Sequence, residues 1–367
     1  MTKQTDSKKI LYAASTASHL ENFHKPYIDA LRREHTVLTM ANGEGVDLPI
    51  SFAKSFFSLA NLRALLQIRR ILKRERFDAL ILHTSLAAFL VRAAMIGWRR
   101  RPFVLNVVHG YLFPKEAKGM RNRLLLLCER LMRKKTDEIA VMNREDFEIA
   151  TENVLCKGRV FSINGMGITI PDGTPEKDPS IRERYAIDRN DFLCCFVGEL
   201  SKRKNQTLLL SAVSRLWCRE GIPIRLLLIG NGATRAELET QLQNMGLESR
   251  VTLCGATREV RAHLSAADLY VSASTSEGLP FNVMEAMSCG LPIVASDIKG
   301  QRDLLRGTDA ALYPLDDLDA FCAAVCRIYE SRSFGVGAVS YPNVEKYRLG
   351  AVFEQNLCEM TRGWCQK

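Results

Sequence analysis

The chain has 367 residues, 47% hydrophobic and 25% charged, a balance that fits two folded domains of ordinary size and excludes disorder as the main state. Its net charge of +10 is unevenly placed: residues 1–170 hold 28 Lys/Arg against 16 Asp/Glu, the remainder 23 against 25. Eleven cysteines, odd in number and without a CxxC pair, and an opening stretch without an apolar leader argue for free thiols in a reducing compartment rather than a disulfide or structural zinc framework.

In chain order, residues 10–14, 35–39, 79–82 and 103–108 are short apolar or β-branched runs. Residues 22–33, 61–74 and 85–96 between them carry helical patterns. The stretch 80–98 is nearly long enough to cross a bilayer, but His83 and Arg92 interrupt it and it divides into a strand and a helix, which predicts a soluble or peripheral protein. Residues 120–135 read as a helix in which Leu124 to Leu127, Leu131 and Met132 lie among Arg121, Arg123, Arg130, Arg133, Lys134 and Lys135. That mixture suits a helix resting on anionic headgroups, the alternative being a core helix with a solvated basic face. Further cations at 62–76 and at Arg99, Arg100 and Arg101 make the first half a candidate partner for nucleic acid, an anionic membrane surface or an acidic substrate. Interleaved aromatic stacking motifs are absent, which excludes nucleic acid as the expected partner.

Residues 168–180, with Pro171, Gly173, Pro175 and Pro179, have the composition of a linker. The alternation then restarts, with strand-like runs at 192–197, 224–229, 251–253, 269–272, 292–295 and 311–313. Alternating strands and helices predict parallel sheets covered on both faces, hence two doubly wound α/β domains, 1–167 and 181–345, with a ligand cleft where the carboxyl ends of their strands face each other.

The chemistry concentrates at 272–297, which reads as strand, tight loop, helix, strand. Glu277 precedes the loop, and the segment from Gly278 to Phe281, with Leu279 and Pro280 between, brings the backbone N–H groups of its non-proline residues to a helix start, an arrangement that favours an anion such as a diphosphate. Asn282 opens that helix and Glu285 lies within it, eight positions after Glu277; two carboxylates there suit hydrogen bonds from sugar and ribose hydroxyls.

Glu277-Gly278-Leu279-Pro280 with Glu285 resembles the EX7E motif of the large retaining GT-B glycosyltransferase family, glycosyl transferases group 1, whose members include capsule, exopolysaccharide and lipopolysaccharide enzymes. Val197 to Asn205 resembles that family's strand-to-helix phosphate loop, with Gly198 at the turn and Lys204 on the donor diphosphate. Glu199 stands where the family commonly has arginine, which leaves Lys202 or Arg203 to share the role. Gly230-Asn231-Gly232 resembles the glycine turn beside the nucleotide, and Val108-His109-Gly110 the histidine that reaches the donor sugar. Ser15, Ser18 and His19 fall where the family has its acceptor loop, here without the paired glycines of many members.

The resemblance implies two Rossmann-like domains facing a central cleft, with the last helix, residues 346–367, crossing back to the first domain. It implies transfer of a hexosyl or N-acetylhexosaminyl group from a nucleotide sugar, UDP-linked, to a lipid-linked saccharide. The resemblance further implies retention of configuration, with neither metal nor cofactor. The expected location is the cytoplasm, peripheral on the inner face of the cell membrane. A GT-B epimerase converting a nucleotide sugar without acceptor, and a non-catalytic protein of the same fold, are the alternatives. A nicotinamide-linked enzyme would need GxGxxG after the first strand, which is missing.

Overall fold

The computed structural model describes residues 7–53, 58–170, 179–332 and 339–365. The chain divides into two compact units, residues 1–167 with 346–367, and residues 168–345. Most of the expected linker, 171–178, lies outside the described residues.

The first unit runs β1 (Lys9–Thr16), α1 (Ala17–Phe23), α2 (Lys25–Arg32), β2 (Thr36–Asn42), β3 (Leu48–Pro49), α3 (Ala60–Glu75), β4 (Ala79–His83), α4 (Ser85–Ala94), β5 (Phe103–Val108), α5 (Met120–Met132), β6 (Glu138–Val141), α6 (Arg144–Glu152) and β7 (Val160–Ser162). Its seven parallel strands are ordered β3-β2-β1-β4-β5-β6-β7. The direction of winding reverses between β1 and β4, and a doubly wound sheet opens a crevice at the carboxyl ends of such strands. β4 is buried along its whole length, as a strand with both faces covered must be.

The helix expected over 22–33 is two helices. Pro26, at the start of α2, offers no N–H to continue α1, and His24 fills the joint between them. Across α4 and α5, the fully buried Arg92 makes a two-pronged ion pair with Glu129, at 2.9 and 3.0 Å, and also donates to the Thr136 hydroxyl. This anchor fixes α5 by its polar inner side. Met120, Leu124, Leu127 and Leu131, at helical spacing, are left exposed by 42 to 85%. The expected strands missed β3, β6 and β7, all short.

The second unit runs α7 (Pro179–Arg184), β8 (Phe192–Val197), α8 (Gln206–Cys218), β9 (Ile224–Ile229), α9 (Arg235–Met245), β10 (Val251–Gly255), α10 (Val260–Ala266), β11 (Leu269–Ser272), α11 (Phe281–Ser288), β12 (Ile293–Ser296), α12 (Lys299–Leu305), β13 (Ala311–Tyr313) and α13 (Leu318–Arg332). Six parallel strands in the order β10-β9-β8-β11-β12-β13 place its switch point between β8 and β11. Phe192, Cys194 and Phe196 of β8 enter a core with Leu209, Val213 and Leu216 of α8.

The last helix, α14 (Leu349–Cys365), belongs to the first unit. Asn356 donates to the Gly165 carbonyl at 2.7 Å and to the Tyr27 hydroxyl at 3.1 Å, Trp364 meets Phe103 edge to face, and Arg159 pairs with Glu359.

Candidate functional site

In the second unit, three loops and a helix start meet at the carboxyl ends of β8, β9 and β11. Their approach is close enough that side chains are excluded. A Cβ on Gly230, whose φ is +137°, would stand 1.9 Å from the Gly198 carbonyl oxygen, and one on Gly300 would stand 2.6 Å from that of Gly278. Leu200 N–H donates to the Asn231 carbonyl and Thr275 N–H to the Arg203 carbonyl, tying the β8 loop to its neighbours on both sides.

At the centre lies Glu277. Its two carboxylate oxygens stand 2.6 Å from Lys204 Nζ and 2.9 Å from an Arg203 guanidinium nitrogen. Burial pushes the Glu277 carboxyl up, but the charges of Lys204 and Arg203 outweigh it and hold the group below its ordinary value of 4.5. The result is a nearly dry carboxylate flanked by two cations, one of them buried. Lys204 Nζ has three donors and can keep Glu277 while also meeting an anion. Arg203 also donates to the Ser276 carbonyl at 2.8 Å.

Glu285, on α11, is a different kind of acid. Burial raises its carboxyl to about 7, so near neutral pH it both donates and accepts hydrogen bonds.

The remaining expected donor residues divide. Gly198, Gly230, Gly232 and Gly278 form the interlocked loops, with Leu279 and Pro280 buried and Phe281 half-buried at the start of α11. Asn231 accepts from Arg235 at 3.4 Å. Asn282 turns inward and donates to the Val197 carbonyl at 2.6 Å, so it staples α11 to the end of β8. Lys202 is exposed, as is Glu199. Of the two cations offered as substitutes for the missing arginine, it is Arg203 that joins Glu277. Sequence reasoning did not single out Lys299, which is buried beside Gly300 at the start of α12.

In the first unit, the carboxyl ends of β1, β4 and β5 gather a second group. Ser15 Oγ lies 2.6 Å from Thr84 Oγ1, and Thr84, at φ +63°, is a β-branched residue in a backbone region such residues rarely enter. Ser18 is exposed, and its hydroxyl donates to Thr16 Oγ1. His109, directly after β5, has Nε2 3.0 Å from His83 Nδ1, and His19 and His24 close around it with ring centroids 4.9 and 5.4 Å away. Burial holds His19 at about 4, and burial together with neighbouring imidazoles holds His24, His83 and His109 well below 6.5. All four rings are therefore neutral at physiological pH. His24 and His83 were not singled out from sequence; their one signal is position, His83 being the last residue of β4 and His24 the joint between helices.

Two family models match the chain: "Glycosyl transferase 4-like domain" over residues 29–160 and "Glycosyl transferases group 1" over residues 191–331. EpsD of Bacillus subtilis (strain 168), which bears a glycosyltransferase name, is 29% identical over 337 residues, 88% of each chain. The UDP-Gal:alpha-D-GlcNAc-diphosphoundecaprenol alpha-1,3-galactosyltransferase of Escherichia coli is 26% identical over 76% of this chain and 73% of its own. Among solved structures, Anabaena Alr3699/HepE in complex with UDP-glucose superposes with a TM-score of 0.73 at 19% identity, covering 97% of this chain and all of that one.

Proposed function

We propose a specific reaction for this chain from the match of residues 191–331 to the glycosyl transferases of group 1, the match of residues 29–160 to a glycosyl transferase 4-like domain, and the GT-B fold of two Rossmann-like domains. A hexosyl or N-acetylhexosaminyl group moves from a UDP-linked donor to a lipid-linked saccharide in surface-polysaccharide synthesis, with retention of configuration and without a metal cofactor.

The observation that carries the reading is the Lys204–Glu277–Arg203 constellation at the switch point of the second unit. A donor diphosphate set there would exchange part of the Glu277 pairing for Lys204 and Arg203, whose charges neutralise the leaving phosphate as the glycosidic bond breaks. The Glu277 carboxylate then accepts hydrogen bonds from the sugar, and Glu285 bonds ribose hydroxyls. In the first unit, Ser15, Ser18 and His19 are read as acceptor contacts and His109 as the group that reaches the donor sugar. The UDP-linked donor is supported by the fold shared with a protein solved with UDP-glucose, and the lipid-linked acceptor by the name of the Escherichia coli relative.

Peripheral attachment to an anionic membrane face is part of the proposal. It is supported by the exposed apolar stripe of α5 and by cations close to its end: Lys135 Nζ bonds the Trp98 carbonyl and Arg101 the Lys134 carbonyl, so the Arg99 to Arg101 cluster adjoins residues 133–135. No helix among the described residues is long and apolar enough to cross a membrane.

The test is a donor screen with the full chain, UDP-, GDP- and ADP-sugars being offered with undecaprenyl-diphosphate-linked saccharides. UDP-sugar consumption that requires the acceptor is expected. Conversion of the nucleotide sugar without acceptor would replace transfer by epimerisation, and binding of no UDP-sugar would overturn the donor assignment.

A further inference from the structure

Four of the six histidines in the chain stand together at the switch point of the first unit. Sugar transfer as proposed above uses His109, with His19 as an acceptor contact, and has no role for His24 or for the buried His83.

Clustered imidazoles need an explanation, because a buried ring nitrogen without a partner forfeits the hydrogen bond it made to water. Nε2 of His19, of His24 and of His83 are all buried, and none meets a hydrogen-bond partner among the described residues. His24 is fully buried, and its Nδ1 lies 3.0 Å from the Tyr12 hydroxyl. When Nδ1–H donates to the phenolic oxygen, Nε2 carries a bare lone pair held in a fixed direction, the arrangement by which an outer hydrogen bond orients a metal-ligating imidazole.

One ligand nitrogen each from His19, His24 and His109 lie within 4.8 Å of one another. Imidazoles on a tetrahedral ion at about 2.0–2.1 Å are roughly 3.4 Å apart, so ring rotations of about an ångström would close the set. No carboxylate or thiol belongs to this group among the described residues. Three neutral nitrogens favour zinc, copper, nickel or cobalt over the hard magnesium and calcium ions.

We propose that His19, His24 and His109 form a binding site for one zinc-class divalent cation, with His24 oriented by Tyr12 and a fourth position open to water. The cation occupies the imidazole of His109, so metal binding and sugar transfer exclude each other and the ion acts as an inhibitor. That consequence rests on the role of His109 proposed above; the binding itself does not.

The experiment titrates the chelator-treated full chain with Co2+ alone and records its visible and near-ultraviolet absorption, followed by displacement with Zn2+. One equivalent giving the d–d bands of a four-coordinate ion, without the intense band of thiolate-to-cobalt charge transfer, is expected. The His19→Gln variant should weaken binding by about tenfold or more, at least the effect of losing an outer-shell partner. Because His24→Ala opens a hole beside Tyr12 and can misfold, His109→Gln serves as the second variant, each being compared at matched melting behaviour. A thiolate band, no binding at micromolar Co2+, or unchanged affinity in both His19→Gln and His109→Gln would overturn the site. Binding as expected, with transfer untouched by Zn2+, would instead overturn the role given to His109.

Discussion

Replacing Lys204 by alanine separates structural from catalytic work at the proposed donor site. The side chain is 8% exposed, and its ammonium lies 2.6 Å from a Glu277 carboxylate that is itself 10% exposed. Breaking a fully buried pair on one side costs about 3–5 kcal/mol, but Arg203 stays at 2.9 Å with 44% of its side chain in solvent. The expected loss is therefore nearer that of one charged hydrogen bond, about 2 kcal/mol. For a unit of this size that lowers the melting temperature by about 4–8 °C.

The loss has a pH signature. In the wild type Glu277 ionises below 4.5, so its contribution is present above that pH and fades as the pH falls through the lowered value. Without Lys204, burial outweighs the solvent-exposed Arg203 and the carboxyl rises above 4.5; the variant then loses stability as the pH climbs through the raised value. The two melting curves should converge only below the lowered Glu277 value and separate toward pH 7.

Transfer should fall about ten- to a thousandfold, the range for one preorganised charge contact, and Lys204→Met, which keeps the volume, should fall as far. The checks are scanning calorimetry from acid to neutral pH and steady-state kinetics with varied UDP-sugar. A Lys204→Ala enzyme that shows the melting deficit but keeps wild-type kcat and donor KM would refute the placement of this cation at the diphosphate.

Glu285→Gln should raise donor KM. It should also stabilise the protein by about 1–3 kcal/mol at pH 8 but not at pH 4, because burial lifts the native carboxyl from 4.5 to about 7 and the folded state gives up stability across that interval as it ionises. Thermal melts at the two pH values decide it. Arg92→Ala leaves Glu129 buried and uncompensated and should cost about 3–5 kcal/mol, whereas the apolar pair Arg92→Met with Glu129→Leu should be close to neutral, as read by denaturant unfolding. Leu124→Ser, Leu127→Ser and Leu131→Ser together remove the exposed stripe of α5 and should weaken sedimentation with anionic vesicles while leaving melting unchanged. Arg133→Glu with Lys134→Glu should do the same in a salt-dependent way, each cation near the surface contributing about 1 kcal/mol, and equal binding of the wild type to neutral vesicles would refute the electrostatic part.

Much of the fold was legible in sequence because parallel strands covered on both faces are continuous apolar runs. β8, with all six residues buried, could hardly be read otherwise. The loops proposed to hold the donor were legible for a related reason: glycines at 230 and 232 sit where another backbone comes within 3 Å of a would-be Cβ, a constraint that acts at single positions. Short edge strands such as β3, whose two residues pair with β2, leave too little pattern to read, and the break at His24 was hidden in a run of helical residues.

The tertiary structure decided what depends on which separate loops meet. Sequence offered Lys202 and Arg203 equally as substitutes for a missing arginine, and only the turn before α8 sends one to Glu277 and the other to solvent. It offered Asn282 as a donor contact, and the proximity of the β8 carbonyl turned that amide inward. Above all, it scattered His19, His24, His83 and His109 over ninety-one positions. A doubly wound sheet gathers them, because its winding reverses between β1 and β4 and brings the ends of β1, β4 and β5 side by side.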